Sequence, residues 1–499
     1  MLNTSAALIG GLLYSQAAQQ IPFTTSFQTS VQVQGPFAPL GNLSLLAQDS
    51  FSVLEHPEIP DYSIRIKKSQ ICDGLVDAYT GYLDAGSRHS FFWFFESRQQ
   101  PENDDVIFWT SGGPGGSSAR GVFMEIGPCR VLEDGKTVIH EESWVSNANL
   151  FFMDLPAAVG FSYSDDSKEV VPVETVALDV NAFLIIFFEH FTIFKGLPFH
   201  FAADSYASSY LPAFATTLLD QNLQLEAEKR PLTPINLSSL ILGNAMTDFY
   251  TMIPGYYKMA CTSTSGLKLL DAQTCMQMRQ ALPRCQKAAQ EACIRTTNAT
   301  KCEKASNDCV EQVFEPFWTY GKGRNPYNVK TNCKNGDPDS CPTFILAPFA
   351  SQVVKHLNQP ELREQLRIDP VFESYKWDNL EDNEFRNQLD LYHDTFFYIT
   401  ALLERNVRIL SYVGKDDFVC NWLGNEKWTR GFEWYGRKDF RRQPMRKWKV
   451  NGHLAGKARK AEDGALMFTV IDDAGHVVPR DKPKELLELI KKWMKHEDL

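Results

Sequence analysis

Three residues in this chain have the types and the order that acyl transfer requires. Ser205 stands in Ala203-Asp204-Ser205-Tyr206-Ala207-Ser208, between an apolar run and an amphipathic stretch. Asp417 follows the apolar run 407–412, and His476 follows the run 466–471 in Asp473-Ala474-Gly475-His476. Such chemistry needs a nucleophile, a base to take its proton and an acid to orient the base. On a parallel sheet the nucleophile sits on a tight strand-to-helix turn. The acid follows a later strand and the histidine the last one. Singly, each residue has a plainer use: Ser205 as a helix N-cap, Asp417 in a turn, His476 facing solvent. Both outer glycines of the usual G-x-S-x-G elbow are missing around Ser205. The order of the three at strand ends carries the assignment: Ser205 attacks, His476 moves the proton, Asp417 orients the ring.

A second feature supports that chemistry. Ser111-Gly112-Gly113-Pro114-Gly115-Gly116-Ser117-Ser118 follows the apolar run 106–109. A glycine-rich turn lets backbone N–H groups point at a developing oxyanion. A phosphate-cradling loop would need a lysine in Walker A spacing, and none follows.

The elements that would position these residues alternate along the chain. Residues 79–82, 89–95, 106–109, 150–153, 199–202, 240–242, 407–412 and 466–471 have strand composition. Residues 173–194, 211–223 and 483–495 have helical patterns. This alternation predicts an α/β fold with a mostly parallel sheet covered by helices, of the α/β-hydrolase kind. Residues 251–345 break the rhythm and read as a helical, disulfide-rich insertion. The predicted organisation is a signal peptide at 1–18, an arm or pro-segment at 19–60, core segments at 61–250 and 346–499, and the insertion between them.

The compartment is legible too. Residues 6–13 are apolar and Ser15-Gln16-Ala17-Ala18 offers small residues for cleavage, the pattern of a secretory signal. Residues 182–194 are apolar but interrupted by Glu189 and His190, so they read as a buried helix, and no membrane anchor is expected. Eleven cysteines, six of them between Cys261 and Cys309, lack C-x-x-C pairs and point to disulfides over zinc. Sequons at Asn42, Asn236 and Asn298 agree with secretion. A net charge of -11 argues against a nucleic-acid partner. The basic run through Arg437, Arg441, Arg442, Arg446, Lys447 and Lys449 reads as a solvated loop. No metal or cofactor is expected, and the pattern specifies no oligomeric state.

Longer blocks resemble one family. They include Phe95-Glu96-Ser97-Arg98, Gly112-Gly113-Pro114-Gly115, Met124-Glu125-Ile126-Gly127-Pro128 and Gly160-Phe161-Ser162-Tyr163. The longest are Asp417-Phe418-Val419-Cys420-Asn421-Trp422-Leu423-Gly424-Asn425 and Ala474-Gly475-His476-Val477-Val478-Pro479. From about Tyr62 onward the chain resembles the serine carboxypeptidases, secreted fungal members included. The resemblance implies a vacuolar or extracellular enzyme acting on the C-termini of peptides and proteins through an acyl-enzyme. It implies an oxyanion hole from the N–H groups of Gly113 and Tyr206. It places Trp109, Ser111, Gly112, Glu125 and Asp204 at the substrate's terminal carboxylate. Two carboxyl groups holding a third must share protons, so an acidic optimum is expected. The implied disulfides are Cys261–Cys275, Cys285–Cys309, Cys293–Cys302 and Cys333–Cys341, with Cys72–Cys129 remaining and Cys420 as a free thiol.

The chain departs from the family around the site. The family carries Asn at Ser111, Glu at Asp204, Gly at Ala203 and Ser208, Gln at Leu155 and Gly at Ala158. Its cysteine after the glycine-rich turn is Gly116 here, and the partner position is Tyr375. Two alternatives therefore stay open: an acyltransferase on the same scaffold, and a catalytically weakened member with altered carboxylate recognition or a binding role.

Overall fold

The apolar runs pair into one sheet in a computed structural model of the chain. It describes residues 37–74, 76–166, 171–296, 299–321, 323–333, 347–372, 374–375 and 395–499. The strands are β1 (Ser52–Glu55), β2 (Tyr62–Ser69), β3 (Ala78–Ala85), β4 (Arg88–Phe95), β5 (Asp105–Thr110), β6 (Cys129–Val131), β7 (Thr137–Ile139), β8 (Ala148–Met153) and β9 (Tyr163–Ser164). They continue as β10 (Phe199–Asp204), β11 (Leu237–Gly243), β12 (Arg324–Asn325), β13 (Asn328–Asn332), β14 (Arg408–Gly414), β15 (Arg446–Val450), β16 (His453–Lys460) and β17 (Leu466–Ile471). The sheet order is β1-β2-β3-β4-β8-β5-β10-β11-β14-β17-β16-β15, with β9 beside β4. The inner strands β8, β5, β10, β11, β14 and β17 are parallel, and both margins are antiparallel.

Local chemistry explains this division. Tight turns make antiparallel neighbours, whereas parallel neighbours need a crossover. Asn451 and Gly452, at φ 49° and 82°, form a two-residue connection between β15 and β16. By contrast, helix α1 (Val173–His190) lies between β9 and β10, and α2 (Ala207–Glu228) joins β10 to β11. Alternate residues of the inner strands feed two cores. Val106, Phe108, Phe151 and Phe201 meet α1 and α2, while Ile107, Trp109, Leu150 and Phe152 share the other core with the C-terminal helix Pro483–Met494. Because both faces are covered, the inner strands read as nearly unbroken apolar runs.

α1 is the apolar stretch around residues 182–194. It stops at His190, where a short turn Thr192–Phe194 takes over. Glu189 and His190, which interrupt the apolar run, both find partners inside the protein. Glu189 pairs with Lys195 at 2.6 Å, and the His190 ring lies 2.9 Å from the Glu55 carbonyl oxygen. No helix among the described residues is long and apolar enough to cross a membrane. The basic run is a correction: it forms the helix Arg437–Arg442 and edge strand β15. Arg446, Lys447 and Lys449 are exposed on that edge, where cations oppose pairing with another chain.

Within the Cys-rich segment lie α3 (Phe249–Cys261), α4 (Ala272–Ala289), α5 (Ala299–Cys309), α6 (Glu315–Tyr320) and the β12–β13 hairpin. Its core joins Met252, Tyr256, Met278 and Phe317 to Phe418 of the aspartate loop. Cys261–Cys275, Cys285–Cys309 and Cys293–Cys302 bridge this region, and Cys333 is disulfide-bonded too. Cys341 lies outside the described residues, as do Asn298 and residues 1–18, read as a signal peptide. Asn42 and Asn236 are exposed. From residue 37 onward, the span read as an arm contributes Leu43, Leu46, Leu54 and Ile59 to the core.

Cys72–Cys129 closes a loop with a sequence separation of 57 and ties the β2–β3 connection to β6. Replacing both cysteines with serine is expected to lower unfolding stability by roughly 2–5 kcal/mol. Denaturant midpoints under oxidising conditions measure this loss, and a shift under about 1 kcal/mol would show the bridge to be dispensable.

Candidate active site

The glycine-rich turn, Ser205, Asp417 and His476 all fall at the C-terminal ends of parallel strands, where open α/β sheets place their ligand crevice. β5 runs into the glycine-rich turn, β10 into Ser205, β14 into the Asp417 loop and β17 into the His476 loop. Ser205 has φ 54°, in the left-handed region, although it is not glycine. Its N–H donates to the Gly243 carbonyl at 2.9 Å, locking the elbow onto β11. Such strain persists only where surrounding structure enforces it, and it lifts the hydroxyl out of the strand-to-helix path. Of the residues replacing family glycines, Ala158 sits at φ 78°, and Ser208 has a buried hydroxyl with no hydrogen bond among the described residues. Leu155 is buried in the main core.

His476 Nδ1 lies 2.7 Å from Asp417 Oδ2, and Asp417 is fully buried. The same oxygen accepts from Asn244 Nδ2 at 2.7 Å, and Oδ1 accepts from the Cys420 N–H at 3.1 Å. Asn244 also donates to the Gly475 carbonyl and accepts from the Gly414 N–H, both at 3.3 Å. It therefore ties the aspartate strand to the histidine loop. Sequence reasoning missed Asn244; the available signal was a polar residue closing the apolar run of β11. Asn244→Leu would leave a buried carboxylate short of one donor. A hydrogen bond to a charged group contributes about 1.5–3 kcal/mol, so kcat/KM is expected to fall roughly 10- to 100-fold. An unchanged value with a blocked peptide substrate would remove Asn244 from the positioning set.

The β12–β13 hairpin braces both loops. The Tyr327 carbonyl accepts from the His476 N–H at 2.7 Å, and the Pro326 carbonyl accepts from the Phe418 N–H at 2.9 Å. Lys330 Nζ bridges Asp416 at 3.1 Å and Asp473 at 2.6 Å. Burial disfavours the protonated His476 ring. The Asp417 charge and the Cys420 sulfur more than offset this and hold the ring well above the ordinary histidine range.

Cys420 is a buried free thiol, with Sγ 4.0 Å from Ser205 Oγ. Among the described residues no hydrogen bond joins Ser205 directly to His476. Catalytic hydrogen bonds are often long without substrate and tighten in the complex. Asp417, Cys420 and His476 present ligand atoms within 4.8 Å of one another, the spacing of a metal site. The Asp417 oxygens and His476 Nδ1 are already engaged with one another, Asn244 and Cys420, so the trio fits a hydrogen-bonded relay better than an ion.

The glycine-rich turn abuts the elbow. A side chain on Gly112 would place its Cβ 2.7 Å from Ser205 Cβ and 2.8 Å from the Tyr206 nitrogen. Only glycine permits that approach. Gly113 (φ 150°) leads the chain around the bend towards Gly115 (φ 74°). The two N–H groups named for the oxyanion, Gly113 and Tyr206, thus lie on two segments that meet beside Ser205.

The acidic groups hold a surprise. Glu125 and Asp204 are both buried, and between them lies Arg120, absent from the sequence-based site. Arg120 Nε is 2.8 Å from Glu125 Oε1, and Nη2 donates to Asp204 Oδ1 and Oδ2 at 2.8 and 2.6 Å. The Glu125 contact is an ion pair whose angle does not make a hydrogen bond, so neither Glu125 oxygen accepts one among the described residues. Asp204 Oδ1 also accepts from the Gly112 N–H at 3.0 Å. Burial, then Asp204, push the Glu125 carboxyl up to about 7, against Arg120, His476 and Arg130. Trp109 Nε1 donates to Ser111 Oγ at 3.2 Å. That leaves the Ser111 proton available to another acceptor.

The missing bridge has a physical counterpart. A Cβ on Gly116 would lie 2.4 Å from the Gly112 carbonyl oxygen. Tyr375 is buried with its ring 4.8 Å from Phe161, and its N–H donates to Asn358 Oδ1 at 2.7 Å. Tyr375 is held by ring packing and a backbone hydrogen bond.

Comparison with known proteins agrees with this architecture. The serine carboxypeptidase family profile matches residues 73–496. Carboxypeptidase Y of Candida albicans is 34% identical over 442 residues, covering 88% of this chain and 77% of its own length. Carboxypeptidase Y homolog A of Ajellomyces dermatitidis is 36% identical over 448 residues, covering 87% and 77% respectively. A prohormone-processing carboxypeptidase of Saccharomyces cerevisiae shares the fold, with a TM-score of 0.71 at 23% identity over 84% of this chain and 92% of that one.

Proposed function

We propose that in this chain, which belongs to the serine carboxypeptidase family, Ser205, His476 and Asp417 carry the hydrolysis of peptide C-termini. Ser205 Oγ attacks the last peptide carbonyl while His476 takes its proton. The N–H groups of Gly113 and Tyr206 receive the oxyanion. The protonated ring then gives its proton to the leaving amino acid, and water completes the cycle through the acyl-enzyme. Asp417 holds the ring and stabilises the imidazolium. The observation that carries this reading is the buried 2.7 Å contact of Asp417 with His476, set beside a serine in left-handed geometry. Glu125, Asp204, Ser111, Gly112 and Trp109 form the corner that meets the substrate's terminal carboxylate. The disulfides Cys72–Cys129, Cys261–Cys275, Cys285–Cys309 and Cys293–Cys302 fit an oxidising compartment, which supports entry through a signal peptide at residues 1–18 and a vacuolar or extracellular destination.

Two ionisations bear on pH, with opposite signs. Glu125, raised to about 7, is a hydrogen-bond donor below that pH and an added negative charge above it. Binding of a free carboxylate is therefore favoured by acid. His476 must be neutral to act as base, and its raised pKa makes turnover rise with pH. Acid preference thus belongs to discrimination for the free carboxylate, not to the proton transfer.

The test is hydrolysis of blocked dipeptides with free and amidated C-termini across pH. The free-acid to amide ratio is expected to rise as pH falls, while the amide rate climbs with pH. A ratio near one at every pH would favour the member with altered carboxylate recognition. Asp204's engagement with Arg120 is the observation that keeps that alternative in view. Transfer of the acyl group to an added alcohol in preference to water would favour the acyltransferase.

A further inference from the structure

We propose that Arg120 is a specificity-determining residue for the substrate's free carboxylate. Lodged between Glu125 and Asp204, it supplies the positive charge that lets two carboxyl groups accept a third. The inference rests on reading this corner as the carboxylate subsite. Arg120 precedes the single turn Gly121–Glu125 and is only 3% exposed. A guanidinium buried in an apolar stretch must be compensated by anions, and these two acids compensate it.

The geometry divides the work between the acids. Asp204 is committed: both oxygens accept from Arg120, and one also takes the Gly112 N–H. That N–H is thereby engaged as well. Glu125 Oε1 faces the Arg120 Nε at 2.8 Å, while Oε2 makes no hydrogen bond among the described residues, and Ser111 has a proton to give. The substrate carboxylate is then held by the Glu125 acid proton and the Ser111 hydroxyl. Without Arg120, the ionised pair would carry two negative charges towards an arriving anion. With it the trio carries one, and none once Glu125 takes a proton. The other groups facing Glu125 are Arg130 on β6, His476, and the Tyr412 phenol on β14. The Tyr412 hydroxyl is buried and makes no hydrogen bond among the described residues. Arg130 and His476 add positive potential, but Arg120 is the cation in contact with both acids.

The assignment predicts more than a loss of rate. In Arg120→Met the two acids face each other without a cation, and the pair must take up an extra proton before it tolerates a carboxylate. The falling limb of free-acid kcat/KM moves to lower pH. Near pH 7 the free-acid to amide ratio drops by about 10-fold or more, because an uncompensated like charge meets the substrate. The ratio recovers as pH falls. Arg120→Lys keeps the charge and retains most of the preference.

The experiment measures kcat/KM for a blocked dipeptide and its C-terminal amide across pH. It uses the wild type, Arg120→Met and Arg120→Lys. Fluorophosphonate labelling of Ser205 and thermal unfolding check that each variant is folded. If Arg120→Met loses rate equally on both substrates, with the limb unmoved, Arg120 is structural and the proposal is overturned. If Arg120→Met does not fold, Arg120→Lys decides: a ratio falling as far as the amide baseline would contradict the role of charge, and a retained ratio supports it. A wild type that labels but never distinguishes acid from amide overturns the subsite reading itself. A folded wild type that does not label overturns the serine-hydrolase reading.

Discussion

Ser205→Ala is expected to abolish covalent labelling by a fluorophosphonate and to lower kcat for peptide hydrolysis by roughly a factor of 10^6, the scale of losing a nucleophile that acts as part of a unit. The argument for so clean a loss is local. Alanine keeps the Cβ, so the elbow retains its φ 54° and the Ser205 N–H contact to Gly243. Among the described residues the only side-chain hydrogen-bond contact given up is the 4.0 Å approach to the Cys420 sulfur, too long to contribute much stability. Folding and substrate binding should therefore survive while the chemistry does not. Active-site titration beside a thermal melt measures both. A folded variant that still labels would mean that another nucleophile carries the reaction.

Asp417→Asn is expected to cost on the order of 10^4 in kcat, because it turns the base into the wrong tautomer. Asp417 Oδ2 accepts two donors, Asn244 Nδ2 and His476 Nδ1, and Oδ1 accepts the Cys420 N–H. A carboxamide has one oxygen and one amino group, so one of these positions must then face donor against donor. If the amino group turns to His476, Nδ1 has to accept, and the ring proton moves to the nitrogen that should receive the Ser205 proton. The substitution also removes the negative charge that holds the His476 ring well above its ordinary range. The residual activity should consequently keep its base form to lower pH than the wild type. The paired readout is the size of the kcat loss and the displacement of the acidic limb. A drop of less than about 10-fold with the limb unmoved would show that Asp417 does not orient the base.

The proposed triad was legible because chemistry constrains order along the chain: a serine, an aspartate and a histidine, each after an apolar run, in that order. The residues that support it were less so. Asn244 is one polar residue after one strand, and nothing local says that it reaches an aspartate 173 positions away. Arg120 was visible as a lone cation in Ala119-Arg120-Gly121-Val122-Phe123-Met124-Glu125, a stretch otherwise apolar up to its acid. A buried arginine implies anions, yet its second partner lies 84 positions on. The expectation of two acids sharing a proton was built from nearby motif residues and so omitted the cation between them. The Asn451-Gly452 connection was a local hairpin signal, and it accounts for the antiparallel margin that helix alternation alone does not give.

By itself, the sequence singled out Ser205, His476 and Asp417 as the candidate nucleophile, base and acid, and it determined the parallel heart of the sheet and a Cys-rich helical segment that disulfides would bridge. Each follows from residue type, short periodicity or chain order, which are properties of contiguous stretches. Only the tertiary structure decided the placing of Arg120 between Glu125 and Asp204, the bracing of the Asp417 and His476 loops by residues 324–332, and the placing of Cys420 beside Ser205. These depend on distances between segments far apart along the chain, and electrostatic interaction inside a protein is set by separation and burial, not by order in the sequence.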